Sequence, residues 1–193
     1  CLLCGAFGLA AAWAESLAGG PLAPADPGFL SQRRPLLVLS GSAHPASQAQ
    51  IRRLAGHSGA ALSPLQVGMS AAEQAALVDA LCADQPAPPV RVLYPAAAQT
   101  GADPRWRGFC RLVSDIGAQI IRRAPPAALL VIGGETAGHL FDHLGAQAVT
   151  LLGEAAPGIP CGQLEGGAAD GLPLVTKAGG FGGEESLEGL VFG

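Results

Sequence analysis

Lysine is almost missing from this chain: of its 193 residues only Lys177 is lysine, and the other ten basic positions are arginine. The arginines come as scattered pairs (Arg33-Arg34, Arg52-Arg53, Arg122-Arg123), and the formal net charge is -4. Nucleic-acid binders displace counterions with a concentrated basic stripe, so nucleic acid is excluded as a partner. Long apolar runs are absent too. None reaches the roughly 18 residues that a membrane helix needs, and no positively charged leader precedes the first one. The reading is a soluble chain with no membrane partner.

Cysteine is sparse: five residues, an odd number, in no repeating spacing. That fits a reducing cytoplasm better than a disulfide framework. Cys1 and Cys4 make a nominal C-x-x-C, but "CLLCGAFG" is apolar and no second pair follows, so buried thiols are expected there rather than zinc or redox chemistry. Catalytic signatures are missing as well. There is no G-x-x-x-x-G-K-[ST] and no G-x-G-x-x-G, which removes the P-loop and the Rossmann fingerprint. Without a G-x-S-x-G elbow, Ser42 and nearby His44 are a poor hydrolase pair. His139 and His143 stand at i, i+4 with neither H-E-x-x-H nor a third ligand, and read as an exposed or core-edge pair rather than a metal site.

What the chain does have is aliphatic sequence in a regular order. A hydrophobic content of 49% supports one substantial core, while 28 glycines and 16 prolines make it rich in turns. Its start reads as a strand end, a Gly turn and an Ala-rich helix, "GAFGLAAAWAESLAG", with Cys1 standing where a strand is already under way. Gly19–Pro35 is dense in Gly and Pro and reads as a linker. The expected division is therefore residues 1–34 as the tail of a preceding domain plus linker, and 35–193 as one domain.

Within that domain "LLVLS" (36–40) predicts a strand and "ASQAQIRRLAG" a helix ended by Gly56. "AALSPLQV" is a weaker strand. "SAAEQAALVDALC" follows as a helix, with Ser70 and Glu73 at capping-box spacing. "VRVLY" (90–94) is a strand, and "FCRLVSDIGAQII" puts Phe109, Leu112, Val113, Ile116 and Ile120 on one helical face that Gly117 weakens slightly. "ALLVI" (128–132), the helix of "GGETAGHLFDHLGA", "AVTLL" and "LPLVT" (172–176) complete the series. Aliphatic strands alternating with amphipathic helices predict an α/β fold: a mainly parallel sheet with helices on both faces and Gly-rich loops at the carboxyl ends of strands.

Ligands of such sheets bind at those carboxyl ends. Three turns there have the composition for it: "SGS" (40–42), "GGET" (133–136) and "KAGGFGG" (177–183). Glycine lets backbone N–H groups approach a ligand closely, and Ser and Thr hydroxyls add short donors, which suits phosphate. Any strand-to-helix turn uses Gly and a capping hydroxyl, so one such turn decides nothing; three, one of them holding the sole lysine, form a pattern. Ammonium is a compact point charge that fits a glycine-walled space where a guanidinium fork does not. Lys177 touching an anion and chance in an arginine-biased composition both remain open.

Taken in order, "VLSGSAHPASQAQI", "LLVIGGETAGHLFDHLGA", "GEAAPGIPCGQLEGG" and "GLPLVTKAGGFGG" resemble the nucleotide-binding half of the four-carbon acid sugar kinase family, over Val38 to Gly183. "GAFGLAAAWA" resembles the close of that family's preceding acid-sugar domain, usually nearer to G-S-A-G-L-A, from which Ala6 and Phe7 depart. The resemblance implies transfer of the γ-phosphoryl group of ATP, with Mg2+, to the terminal hydroxyl of a threonate-, erythronate- or 3-oxotetronate-like acid. It places nucleotide contacts on Ser42, Gly133, Gly134, Glu135, Thr136, Gly179 and Gly180. Some relatives read K-S-G-N-F-G where this chain has Ala178 and Gly180, so backbone N–H groups must serve here.

Lys177 is then the candidate for neutralising phosphate charge, and Glu135 a candidate Mg2+ ligand, direct or through water. A carboxylate in a first helical turn is also favoured by the macrodipole alone. The resemblance puts the acid-sugar pocket and the catalytic residues in the upstream domain, so this chain alone is expected to bind nucleotide weakly without turnover. A homodimer is a further possible partner. The alternative function is a noncatalytic nucleotide- or phosphosugar-binding module.

Overall fold

A computed structural model describes residues 4–5, 7–19, 26–83, 86–96 and 106–193. Residues 1–3 of the expected first strand end, Cys1 among them, and residues 20–25 of the expected linker lie outside the described residues. Among those described, seven strands form one sheet in the order β2-β3-β1-β4-β7-β6-β5. They are β1 (Leu36–Ser40), β2 (Ala60–Leu65), β3 (Val90–Pro95), β4 (Ala128–Ile132), β5 (Ala148–Ala156), β6 (Ile159–Glu165) and β7 (Pro173–Lys177). The first five in that order pair in parallel, whereas β6 pairs antiparallel with both β7 and β5.

The central strands are buried on both faces because helices cover both. Alternate residues of a strand point to opposite sides. Leu37, Leu39, Leu129 and Val131 therefore join one core with α4 (Ala71–Ala83), α5 (Trp106–Arg123) and α6 (Gly134–Leu144). Their neighbours Leu36, Val38, Leu130 and Ile132 join a second core with α2 (Gly28–Ser31), α3 (Pro45–Leu54) and α7 (Ser186–Phe192). Each fully buried Leu, Ile or Val contributes about 1.5–3 kcal/mol of apolar burial. The α/β class and the mainly parallel sheet are as the sequence predicts.

Local readings fare unequally. The capping box stands: the Ser70 N–H donates to Glu73 Oε2 at 2.7 Å, and the Glu73 N–H donates to Ser70 Oγ at 3.3 Å. Gly117 is more than a weak point of α5, since a Cβ there would lie 2.4 Å from Leu39 Cδ1; its absence lets α5 lie close on β1. The stretch read as linker is structured from Gly28, and its Phe29 and Leu30 are buried in the second core beside α7. The strand at β6 and the helix α7 have no counterpart in the sequence reading. α1 (Phe7–Ala18) forms as expected, but Cys4, expected to be buried, is exposed.

Candidate functional site

Strand register builds the site. Ser40 pairs with Ile132 across β1 and β4, and Ile132 pairs with Lys177 across β4 and β7, so three neighbouring strands end at one level. The loops that leave them are tied together at once. The Gly41 N–H donates to the Ile132 carbonyl at 3.2 Å, and the Gly133 N–H donates to the Lys177 carbonyl at 2.9 Å. From β1 the chain passes through α3 toward β2 and β3; from β4 it passes through α6, in the opposite layer, toward the other edge. The crevice between β1 and β4 is thus a topological switch point, where open α/β sheets take their ligands.

The three loops touch because glycine leaves room. A Cβ on Gly41 would fall 1.9 Å from Thr136 Oγ1, and one on Gly179 would fall 2.1 Å from Ser42 Oγ. Gly133 has φ 110°, a backbone that favours glycine, and it starts α6 with no side-chain cap. The first N–H groups of a helix lack intrahelical acceptors. Those of Gly134, Glu135 and Thr136 therefore face the crevice, with the positive end of the helix dipole behind them. α3 differs: Pro45 has no N–H, and the Ala46 N–H donates to the Nδ1 of the capping His44 at 3.2 Å.

Lys177 is 2% exposed, and its ammonium donates to the Ala178 carbonyl at 3.2 Å. No carboxylate pairs with it among the described residues. Burial lowers its pKa from 10.5 to about 8, because the charged form loses water without gaining a counter-charge. Such a cation suits an incoming anion.

The remaining predicted residues divide. Ser42 is buried, and its hydroxyl accepts the His44 N–H at 3.2 Å. Thr136 is fully buried; its hydroxyl meets no nitrogen or oxygen partner and lies under Gly41 against the Cys110 thiol, whose pKa burial raises. Thr136 therefore presents its backbone to the crevice. Glu135 is exposed, 3.8 Å from His139 Nε2, and stands outside the close cluster. His139 and His143 do not act as a pair: His143 Nδ1 lies 2.6 Å from Asp115 Oδ1 instead. No group of three or more potential metal ligands occurs among the described residues.

Two positioning residues escaped the sequence reading. Ser47 Oγ donates to the Gly179 carbonyl at 2.5 Å, and Gln50 Nε2 reaches the carbonyls of Phe181, Gly182 and Gly183 at 3.0, 3.2 and 2.8 Å. Both side chains are fully buried on α3 and hold the last glycine loop against the first. The available signal was their spacing: Ser47 and Gln50 share the buried face of α3 with Ile51 and Leu54. Polar residues on an apolar stripe need partners. Of two hollows among the described residues, one of about 420 Å³ lined by Ala156, Ile159, Phe181 and Leu190 borders the last glycine loop, and the other, of about 390 Å³, is lined by Val67, Met69, Phe109 and Asp115.

Comparison with known proteins matches the chain to a family. The profile of the nucleotide-binding C-terminal domain family matches residues 37–187. A D-threonate kinase of Bordetella bronchiseptica is 32% identical over 189 residues, covering 95% of this chain and 44% of that protein. A D-threonate kinase of Salmonella typhimurium is 31% identical over 175 residues, 81% of this chain and 41% of that protein. The chain thus spans less than half the length of these relatives. Among solved structures, a domain of unknown function from Bordetella bronchiseptica, a domain-swapped dimer with bound citrate, superposes with a TM-score of 0.67 at 28% identity, covering 96% of this chain and 43% of that one. The family model and these relatives together show that the chain belongs to the nucleotide-binding C-terminal domain of the four-carbon acid sugar kinase family.

Proposed function

We propose that the crevice binds the phosphate tail of ATP, and that the chain is the nucleotide half of a kinase. That kinase phosphorylates the terminal hydroxyl of a four-carbon acid sugar of threonate, erythronate or 3-oxotetronate type. One observation carries the reading: a buried Lys177, with no carboxylate partner among the described residues, heads the last glycine loop level with the strand end that leads into the uncapped start of α6. A helix terminus contributes about 0.3–1 kcal/mol toward an anion, and a hydrogen bond to a charged group about 1.5–3 kcal/mol. Convergence of several is what makes a triphosphate site.

In this reading the N–H groups of Gly134, Glu135, Thr136, Gly179 and Gly180 cradle the phosphates, Ser42 shapes the floor and Lys177 offsets their charge. Phosphoryl transfer is mainly positioning and charge neutralisation, so these roles suffice for the nucleotide side. Mg2+ is held in such sites by one or two carboxylates plus the phosphates themselves. A single exposed Glu135 in the first turn of α6 fits that donor set, directly or through water. The ion supplies further charge neutralisation when bound. Acid-sugar contacts and catalytic residues are assigned to the part of the relatives that this chain does not span. The domain-swapped dimer of the Bordetella structure supports a homodimer here. No described helix is long and apolar enough to cross a membrane. The proposed placement is cytoplasmic, where the four described cysteines would stay free thiols as they are here.

Isothermal titration of the chain with Mg-ATP, ADP and sugar phosphates tests the proposal. Saturable Mg-ATP binding that Lys177→Ala weakens is expected. A response to sugar phosphates with none to Mg-ATP would support the noncatalytic phosphosugar module instead.

A further inference from the structure

His44 is fixed at the lip of the crevice by two bonds. Its backbone N–H donates to Ser42 Oγ at 3.2 Å, and its Nδ1 accepts the Ala46 N–H at 3.2 Å as the cap of α3. A neutral imidazole carries one ring proton, so an Nδ1 that accepts leaves that proton on Nε2. The Nε2–H faces the last glycine loop: a Cβ on Gly180 would lie 3.1 Å from Nε2, and a Cβ on Gly179 would lie 3.4 Å from His44 Cβ. Gly180 brings no side-chain donor, and the ring occupies the space beside it. His44 is exposed, while Lys177 is buried at the inner end of the same loop. A buried cation thus heads the last glycine loop, and a ring donor with no partner among the described residues stands against its Gly179–Gly180 backbone.

We propose that His44 forms an outer subsite for the terminal phosphoryl group of a polyphosphate, with Nε2–H as the donor. The proposal rests on the phosphate-binding reading above. A ligand with one phosphoryl group is held by the inner cluster alone, and a second or third group reaches His44. The subsite thereby selects for phosphate-chain length.

The test compares AMP, ATP and inorganic tripolyphosphate by isothermal titration on the wild-type chain, His44→Asn and His44→Ala. Asn retains a good helix cap but has no donor that reaches as far, so helix integrity and ligand contact separate. Expected is an affinity for ATP and tripolyphosphate about tenfold weaker in His44→Asn, the size of one hydrogen bond to a charged group. AMP affinity stays unchanged, and thermal midpoints of wild type and His44→Asn match. Long-range 1H–15N spectra should place the neutral ring proton on Nε2. Equal ATP affinity in wild type and His44→Asn overturns the subsite and leaves the phosphate reading intact. So does an equal loss for AMP, or a proton found on Nδ1. A wild-type chain that binds none of the three ligands overturns both.

Discussion

Replacing Lys177 with methionine should move stability and binding in opposite directions. Burial holds the ammonium pKa down from 10.5 to about 8. Each unit is worth about 1.4 kcal/mol, so keeping the group charged at pH 7 costs the fold about 3 kcal/mol. Methionine fills similar space without charge. It forfeits the bond to the Ala178 carbonyl, which offsets about 1 kcal/mol of the gain. Lys177→Met is therefore expected to be more stable than wild type by about 2 kcal/mol at pH 7, read from urea unfolding followed by circular dichroism. The sign with pH follows from proton binding: between pH 8 and 10.5 the unfolded lysine holds a proton that the folded one has lost, so wild-type stability rises with pH across that window. The advantage of the variant vanishes inside that window, and at its upper end the wild type, which keeps its bond to the Ala178 carbonyl, is the more stable by about 1 kcal/mol. ATP affinity of the variant should fall by one to two orders of magnitude, as loss of a charged hydrogen bond plus its Coulomb attraction requires. A variant less stable than wild type at pH 7, or a gap indifferent to pH, would refute the claim that burying the Lys177 ammonium without a counter-charge costs the fold stability.

Gln50→Leu removes the donor shared by three loop carbonyls and should cost about 2 kcal/mol. Amide hydrogen exchange should quicken across residues 178–183 more than elsewhere in the chain. Gly41→Ala puts a methyl 1.9 Å from Thr136 Oγ1 and should destabilise by more than about 2 kcal/mol; adding Thr136→Ala should restore part of that loss in thermal melts. Glu135→Gln should weaken ATP binding only when Mg2+ is present. Titrations with and without the ion separate a ligand from a carboxylate that merely favours the helix start.

Sequence periodicity reads strand and helix identity well where burial is two-sided. "LLVLS", "VRVLY" and "ALLVI" are aliphatic because helices cover both faces, and the reading follows. It fails where one element borrows its environment from another. "IPCGQLE" alternates and contains Gly and Pro, so β6 shows itself only once β7 pairs with it. "AVTLL" has the same apolar look as the central strands, yet β5 is the sheet edge, with Leu151 70% and Leu152 56% exposed. The loop clamps are hidden for the same reason. Ser47 and Gln50 bond to residues more than 130 positions away, so nothing in their local sequence names the partner.

What local sequence does encode is the permission for contact. Gly41 and Gly179 are the places where a side chain would strike another loop, Gly133 supplies the positive φ that starts α6, and all three stand in the turns whose composition suggested a ligand. Strand order, which no local pattern specifies, then decides whether those turns meet. Had β3 lain between β1 and β4, the first glycine loop would sit about 5 Å, one strand spacing, further from the other two, and Ser42 could not touch Gly179. The observed order makes β1, β4 and β7 neighbours with level ends, although 133 − 40 = 93 positions separate the first turn from the second. A candidate anion site thus rests on two conditions of different origin: glycines legible in the sequence, and an adjacency that only the folded sheet supplies.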